Sequence, residues 1–171
     1  MFDEVMEGVM QFNGPVWRLL PVSRAKTPSI PAQAPEGRFH HSGQVAAYAS
    51  LSVEGVAIAM RRYLGDSVNR VLVPMWLASN QVVDERGNPK ASVVWQDIRE
   101  AGSASPTWLF SDAARDAGAD AMLYSSRSRP ELSHVVVFDP ACLSYIGPIT
   151  TFAPDKEFTG ADKWQNTDIE P

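Results

Sequence analysis

Between Gly37 and Met60 the chain reads GRFHHSGQVAAYASLSVEGVAIAM, in which a turn, a short apolar strand and a capped helix start follow one another directly. That succession commits the fold to mixed secondary structure. Val45 to Ser50 is short and apolar enough for a buried strand. Ser52 is placed to cap a helix that carries Val53, Val56, Ala57, Met60 and Leu64 on one face. Arg61 and Arg62 suit its C-terminal end, and Gly65 and Asp66 terminate it.

The flanking sequence supplies the other elements. Phe2 to Phe12 has helical apolar spacing, and Asn13, Gly14 and Pro15 are expected to break it. VWRLL, Val16 to Leu20, reads as a first strand and carries Arg18. Pro21, Pro28, Pro31 and Pro35 then make residues 21–37 an extended loop. Asn69 to Leu77 is a strand whose Pro74 points to an edge or a bulge. DERGNPK, from Asp84, is a polar turn, and Trp95 to Ala101 forms a short helical turn. A helix is expected from Ser111, as its cap, to Gly118. Ala121 to Tyr124 and His134 to Phe138 read as strands joined by the loop SSRSRPELS. The sum is an α+β domain of at least five short strands and two or three helices. It is expected over residues 16–150, between an N-terminal segment (1–15) and a polar C-terminal tail (151–171).

Composition narrows the function. A net charge of −5 and a pI near 5.1 argue against a general nucleic-acid binder, which needs basic surface. Basic residues cluster only locally, at Arg61 and Arg62 and at Arg127 and Arg129. Neither a membrane span nor the basic start of a signal peptide is present, and the lone Cys142 suits a reducing compartment as a small buried hydrophobe. A cytoplasmic protein is expected.

Several residues are suited to chemistry. Arg38 ends the proline-rich loop, where a guanidinium either pins the loop or grips a pyrophosphate bidentately. His40 and His41 can donate to phosphates or a ribose hydroxyl, but nothing recurs nearby at metal-ligand spacing, and His134 has no obvious co-ligand. No metal site is expected. Tyr48 is either a core tyrosine or a stacking platform for a base or nicotinamide ring. Glu54 lies in a first helical turn, where the dipole favours a carboxylate; the same charge could stabilise a cationic sugar as its glycosidic bond breaks. Ser125, Ser126, Arg127 and Arg129 either hold phosphate oxygens or form an ordinary solvated hairpin. The chain has no G-x-S-x-G elbow, no P-loop and no G-x-G-x-x-G turn.

The order of these motifs resembles the RES domain, the toxin half of a bacterial toxin–antitoxin module, named for its Arg, Glu and Ser. An early strand with an arginine is matched by VWRL with Arg18, and a Gly-Arg-aromatic motif by GRF with Arg38. The family tyrosine is matched by Tyr48, the late serine by Ser126 in YSSR, and a phenylalanine-ended strand by VVVFD with Phe138. The resemblance runs from about Val16 to Ile146. One departure is clear: the position of the family glutamate falls on Ala59, and the nearest acidic residue is Glu54. On an ideal helix that offset turns the side chain by about 140° and moves it about 7.5 Å along the axis. HHSGQ also replaces an asparagine-containing form.

The resemblance implies an ADP-ribosyltransferase-like split β-sheet with flanking helices, binding NAD as substrate. It implies cleavage of the nicotinamide–ribose bond, with ADP-ribose passing to water, phosphate or a protein side chain. The variant site leans the expectation toward a protein ADP-ribosyltransferase, with NAD phosphorylase or glycohydrolase as the alternative and an inert partner-binding module as a second. Arg38 would bind the pyrophosphate with help from Arg18, Ser126 or Arg127. Tyr48 would position the nicotinamide end, Glu54 would support the oxocarbenium-like transition state, and His40 and His41 would line the cleft. The implied partners are an Xre-type antitoxin that plugs the cleft and a protein target of ADP-ribosylation. No direct contact with nucleic acid or membrane is implied.

Overall fold

A computed structural model describes residues 9–152. Seven strands form one mixed sheet: β1 (Val9–Pro21), β2 (Ala47–Ser50), β3 (Arg70–Asp84), β4 (Ala121–Ser125), β5 (Ser133–Val137), β6 (Leu143–Tyr145) and β7 (Thr150–Phe152). Three α-helices accompany them: α1 (Val53–Met60), α2 (Trp95–Glu100) and α3 (Trp108–Asp116). The α+β class stands. The pairing order β1–β2–β5–β4–β3 returns to β1, so these five strands close into a barrel-like ring. The split sheet is not seen among the described residues.

The long strand β3 organises the ring. β1 pairs antiparallel along nearly its whole length, from Pro21↔Arg70 to Val9↔Val83. Its other side is shared in turn by β7, β6 and, in parallel, β4. Pro74 falls between the β7 and β6 pairings, at neither an edge nor a bulge. Its carbonyl accepts from the Ile146 N–H (3.2 Å), away from β1, so its missing donor removes no β1 bond.

Two expectations are corrected here. Residues 9–12, placed in an N-terminal helix, belong to β1, while the rest of that segment lies outside the described residues. Gly14 and Pro15 do not break the chain but pair with Leu77 and Trp76 inside the ladder. The alternation that turns Pro74 away from β1 also turns Pro15 away from β3. On that side β1 meets β2 only at Trp17↔Ser50, so the absent N–H is not missed. The strands are accordingly longer than the short elements expected.

Side-chain alternation divides the sheet into two faces. Ala47, Ala49, Ala121, Leu123, Val135 and Val137 fill the ring interior together with Val16, Leu20 and β3's Val71, Val73, Met75, Leu77 and Val82. Tyr48, Met122, Tyr124 and Val136 face the opposite way and pack with Phe39 and α3's Ala114. α1 is capped as expected, the Ser52 hydroxyl accepting from the Gly55 N–H (3.0 Å), and lays Val53, Val56 and Met60 against Leu19, Leu72 and Phe152. In α3 the cap expected at Ser111 is instead Thr107; Ser111 is buried within the helix and donates to the Trp108 carbonyl. Gly118 does follow the helix in a left-handed conformation (φ +81°). Cys142 is half-buried beside Asp120 and Asp139, with the three ligand atoms within 4.8 Å of one another. Burial and then the two carboxylates push its thiol pKa up. Among the described residues, no helix is long and apolar enough to cross a membrane.

Candidate functional site

A cavity of about 780 Å³ opens on the sheet face that carries Tyr48 and Tyr124. The Gly37–His40 turn forms one wall and is pinned from several sides. Its ends close on each other through the Gly37 N–H and the His40 carbonyl (2.9 Å). Trp108 Nε1–H donates to the Gly37 carbonyl (2.8 Å), and the Thr107 hydroxyl donates to the Arg38 carbonyl in a short bond. Phe39 is fully buried and meets Tyr124 edge-to-face at 4.6 Å.

His40 and Tyr48 form a satisfied buried pair. His40 Nε2 faces the Ala34 carbonyl (2.9 Å), an acceptor only, so Nε2 carries the proton. Nδ1 then accepts from the Tyr48 hydroxyl (2.7 Å), which in turn accepts from the Phe39 N–H (3.0 Å). Burial raises the Tyr48 phenol well above its ordinary value, so it stays a neutral donor.

The expected site residues divide into two groups. Arg38, His40, Tyr48, Ser126 and Arg127 line the cavity, and Arg38 Nη1 also donates to the Val93 carbonyl (2.6 Å). Arg18, His41 and Glu54 do not line it. Arg18 shares β1's inward face with Val16 and Leu20, and its guanidinium holds the carbonyls of Tyr48, Pro28 and Ile30. Burial pushes its pKa down to about 10, still cationic at neutral pH. His41 stacks on Trp108 (4.4 Å) and pairs with Asp112 (3.0 Å). Glu54 lies on the surface with 46% of its side chain exposed, bound to Arg129 at 2.8 Å. Ala59, at the family's glutamate position, does line the cavity.

Sequence reasoning missed Glu36, Arg70 and Tyr124, noted Arg61 only as part of a basic cluster and set His134 aside as a metal ligand; all five are in the lining. Tyr124 and His134 were legible in principle, because strand alternation puts both on the face of Tyr48. Glu36 is bound by the Arg99 guanidinium (2.9 Å), which holds its carboxyl below the usual range. Arg70 is bidentate to Asp66, yet its buried Nε has no partner among the described residues. Arg61 and Arg127 have no hydrogen-bond or ion-pair partner among the described residues. Among the described residues the lining thus carries four arginines against one carboxylate, Glu36, in a chain of net charge −5. A cationic hollow in an acidic protein selects anionic ligands.

His134 makes the fold sensitive to acid. Burial, with the Arg38 charge adding to it, pushes its pKa down to about 4, whereas an unfolded histidine titrates near 6.5. Between these values the unfolded chain binds the proton and the folded chain does not. Stability is therefore intact above pH 6.5 and is lost as pH falls toward 4, by about 3 kcal/mol in all. Thermal unfolding followed across this range should show the loss, and His134→Gln should remove that part of it.

Comparison with known proteins points to the same family. No curated protein sequence matches the chain. A chain of the crystal structure of the M. tuberculosis MbcT–MbcA toxin–antitoxin complex has a similar fold, with a TM-score of 0.63 at 14% identity. That match covers 85% of this chain and 87% of the other. The family model described as the RES domain matches residues 15–158, most of the chain. On that match, this chain belongs to the RES domain family.

Proposed function

We infer that the chain is the toxin of a toxin–antitoxin module that binds NAD in the 780 Å³ cavity and breaks its nicotinamide–ribose bond. The observation that carries this reading is the lining of four arginines around an aromatic floor, suited to a ligand with a pyrophosphate between flat rings. Arg127 and Arg61, free of protein partners among the described residues, have donors available for the phosphates. Ser126 and Arg38 border the same space. Burial keeps Tyr48 neutral and its bond to His40 fixes its position, so it orients the ligand without titrating.

Among the described residues Glu36 is the one lining carboxylate and is held ionised by Arg99, so it takes over from Glu54 the role of countering positive charge on the sugar. The α+β ring is compatible with an ADP-ribosyltransferase-like ancestry, and we assign a protein side chain as the acceptor of ADP-ribose. An Xre-type antitoxin would silence the toxin by covering the cavity. A second reading, nucleotide binding without turnover, is favoured by one observation: alanine lines the cavity where the family places its glutamate.

Nicotinamide release by the purified chain separates these readings, and labelled NAD with lysate shows whether label enters protein, phosphate or free ADP-ribose. Arg127→Gln is expected to weaken NAD binding about 10- to 150-fold, the worth of one charge-assisted contact, with an unchanged unfolding midpoint. Glu54→Gln should keep activity within about fivefold, since an exposed ion pair is worth at most about 1 kcal/mol. Failure of the parent chain to release nicotinamide under every acceptor condition would end the enzyme reading.

A further inference from the structure

Ser50, His134 and Tyr124 stand side by side across three strands: Ser50 pairs with His134 between β2 and β5, and His134 with Tyr124 between β5 and β4. Their side chains therefore leave the same face of the sheet. His134 and Tyr124 line the cavity, while Ser50 is 1% exposed and does not. The His134 and Tyr124 rings lie 5.3 Å apart at a tilt of 46°.

The protons of this row can be assigned. Ser50 Oγ lies 2.7 Å from His134 Nδ1 and has no other hydrogen-bond partner among the described residues. A buried hydroxyl with one available acceptor donates to it, because an unmade buried bond is costly. Nδ1 is then an acceptor, and the neutral imidazole carries its proton on Nε2. That N–H has no partner among the described residues, and neither does the Tyr124 hydroxyl. His40, the other cavity histidine, differs in having both ring nitrogens engaged by protein.

We propose that His134 Nε2–H, with the Tyr124 hydroxyl beside it, is the recognition point for a planar heteroaromatic group bearing a neutral hydrogen-bond acceptor. The acceptor is a carboxamide oxygen or a ring nitrogen of a base. Both donors are uncharged, so the anionic parts of a ligand go to the arginines and its flat neutral part to this pair. The inference rests on the NAD reading and deepens it, since the dinucleotide carries such a group at each end.

Two measurements test it. Two-bond ¹H–¹⁵N spectra of the parent chain report which nitrogen of His134 holds the proton; Nε2 is expected, and a proton on Nδ1 overturns the proposal. Calorimetric titration then compares the parent and His134→Leu with NAD, AMP, nicotinamide mononucleotide and inorganic pyrophosphate. The variant should lose about 5- to 15-fold in affinity for NAD and for one mononucleotide, whichever end docks here, with pyrophosphate unchanged. A folded variant that binds both mononucleotides as the parent does overturns the proposal. A parent that binds mononucleotides yet releases no nicotinamide removes the turnover reading and leaves this one standing. A parent that binds neither mononucleotide overturns this proposal, and one that in addition neither binds NAD nor releases nicotinamide removes both.

Discussion

Gly37→Ala is expected to dismantle the motif turn, lowering nicotinamide release at least about 100-fold and stability by about 3 kcal/mol. A Cβ at this position would lie 2.5 Å from His40 Cε1, 2.8 Å from its Nδ1 and 2.9 Å from the Tyr48 hydroxyl. The neighbours have nowhere to go. His40 is 3% exposed and held at both nitrogens, by Ala34 and by Tyr48. The backbone cannot retreat either, because the Gly37 N–H is bound to His40 and its carbonyl to Trp108. Relief requires breaking the His40–Tyr48 bond or releasing the turn, and each route displaces cavity-lining groups. Gly65→Ala supplies the control: nothing lies within 4 Å of the added atom. Thermal unfolding and NAD turnover on both variants check the account, and a Gly37→Ala chain with unchanged midpoint and turnover would refute it.

This glycine also marks what was legible in the sequence. Gly37, Arg38 and Tyr48 were readable as a group because a turn, a strand and a helix cap follow one another locally, and each is specified by neighbouring residues. α1 and the pair β4 and β5 were legible for the same reason. The length of β1 and β3 was not. Pro15 is a local breaker made harmless by the lack of a partner along that edge of β1 at its position among the described residues, and Gly14 pairs with Leu77 on the other side. Glu54 was misleading in the same sense: its helical position explains its presence, but a loop far along the chain, through Arg129, decides where its charge goes. Charge pairing between remote segments leaves no periodicity in the sequence. His134 was set aside as a metal ligand lacking company. Its company is Ser50 on the adjacent strand, which a search at ligand spacing does not find.

Arg18→Met is expected to cost about 4 kcal/mol and to lower the unfolding midpoint on the order of 10 °C. The buried guanidinium donates through Nε to the Tyr48 carbonyl (3.0 Å) and through Nη1 to the carbonyls of Pro28 and Ile30 (2.7 Å each). It thereby ties the proline-rich connection to β2 where the β1–β2 ladder stops. Methionine keeps much of the apolar volume but strands three carbonyls, each costing about 1–3 kcal/mol if left without a donor. Removing a buried, unpaired charge offsets part of that loss, since desolvation already depresses the arginine's pKa to about 10. Arg18→Lys discriminates between the causes. It keeps the charge, but a single ammonium cannot reproduce a rigid fork reaching carbonyls on two segments. If fork geometry is what counts, the lysine variant is nearly as unstable as the methionine one; if charge alone counts, it matches the parent. The tie also reaches the site, because Ala32, Gln33 and Ala34, just beyond the pinned carbonyls, line the cavity and Ala34 orients His40. Both variants should therefore lose NAD affinity even at temperatures where they remain folded, a loss that calorimetric titration measures separately from the shift in midpoint.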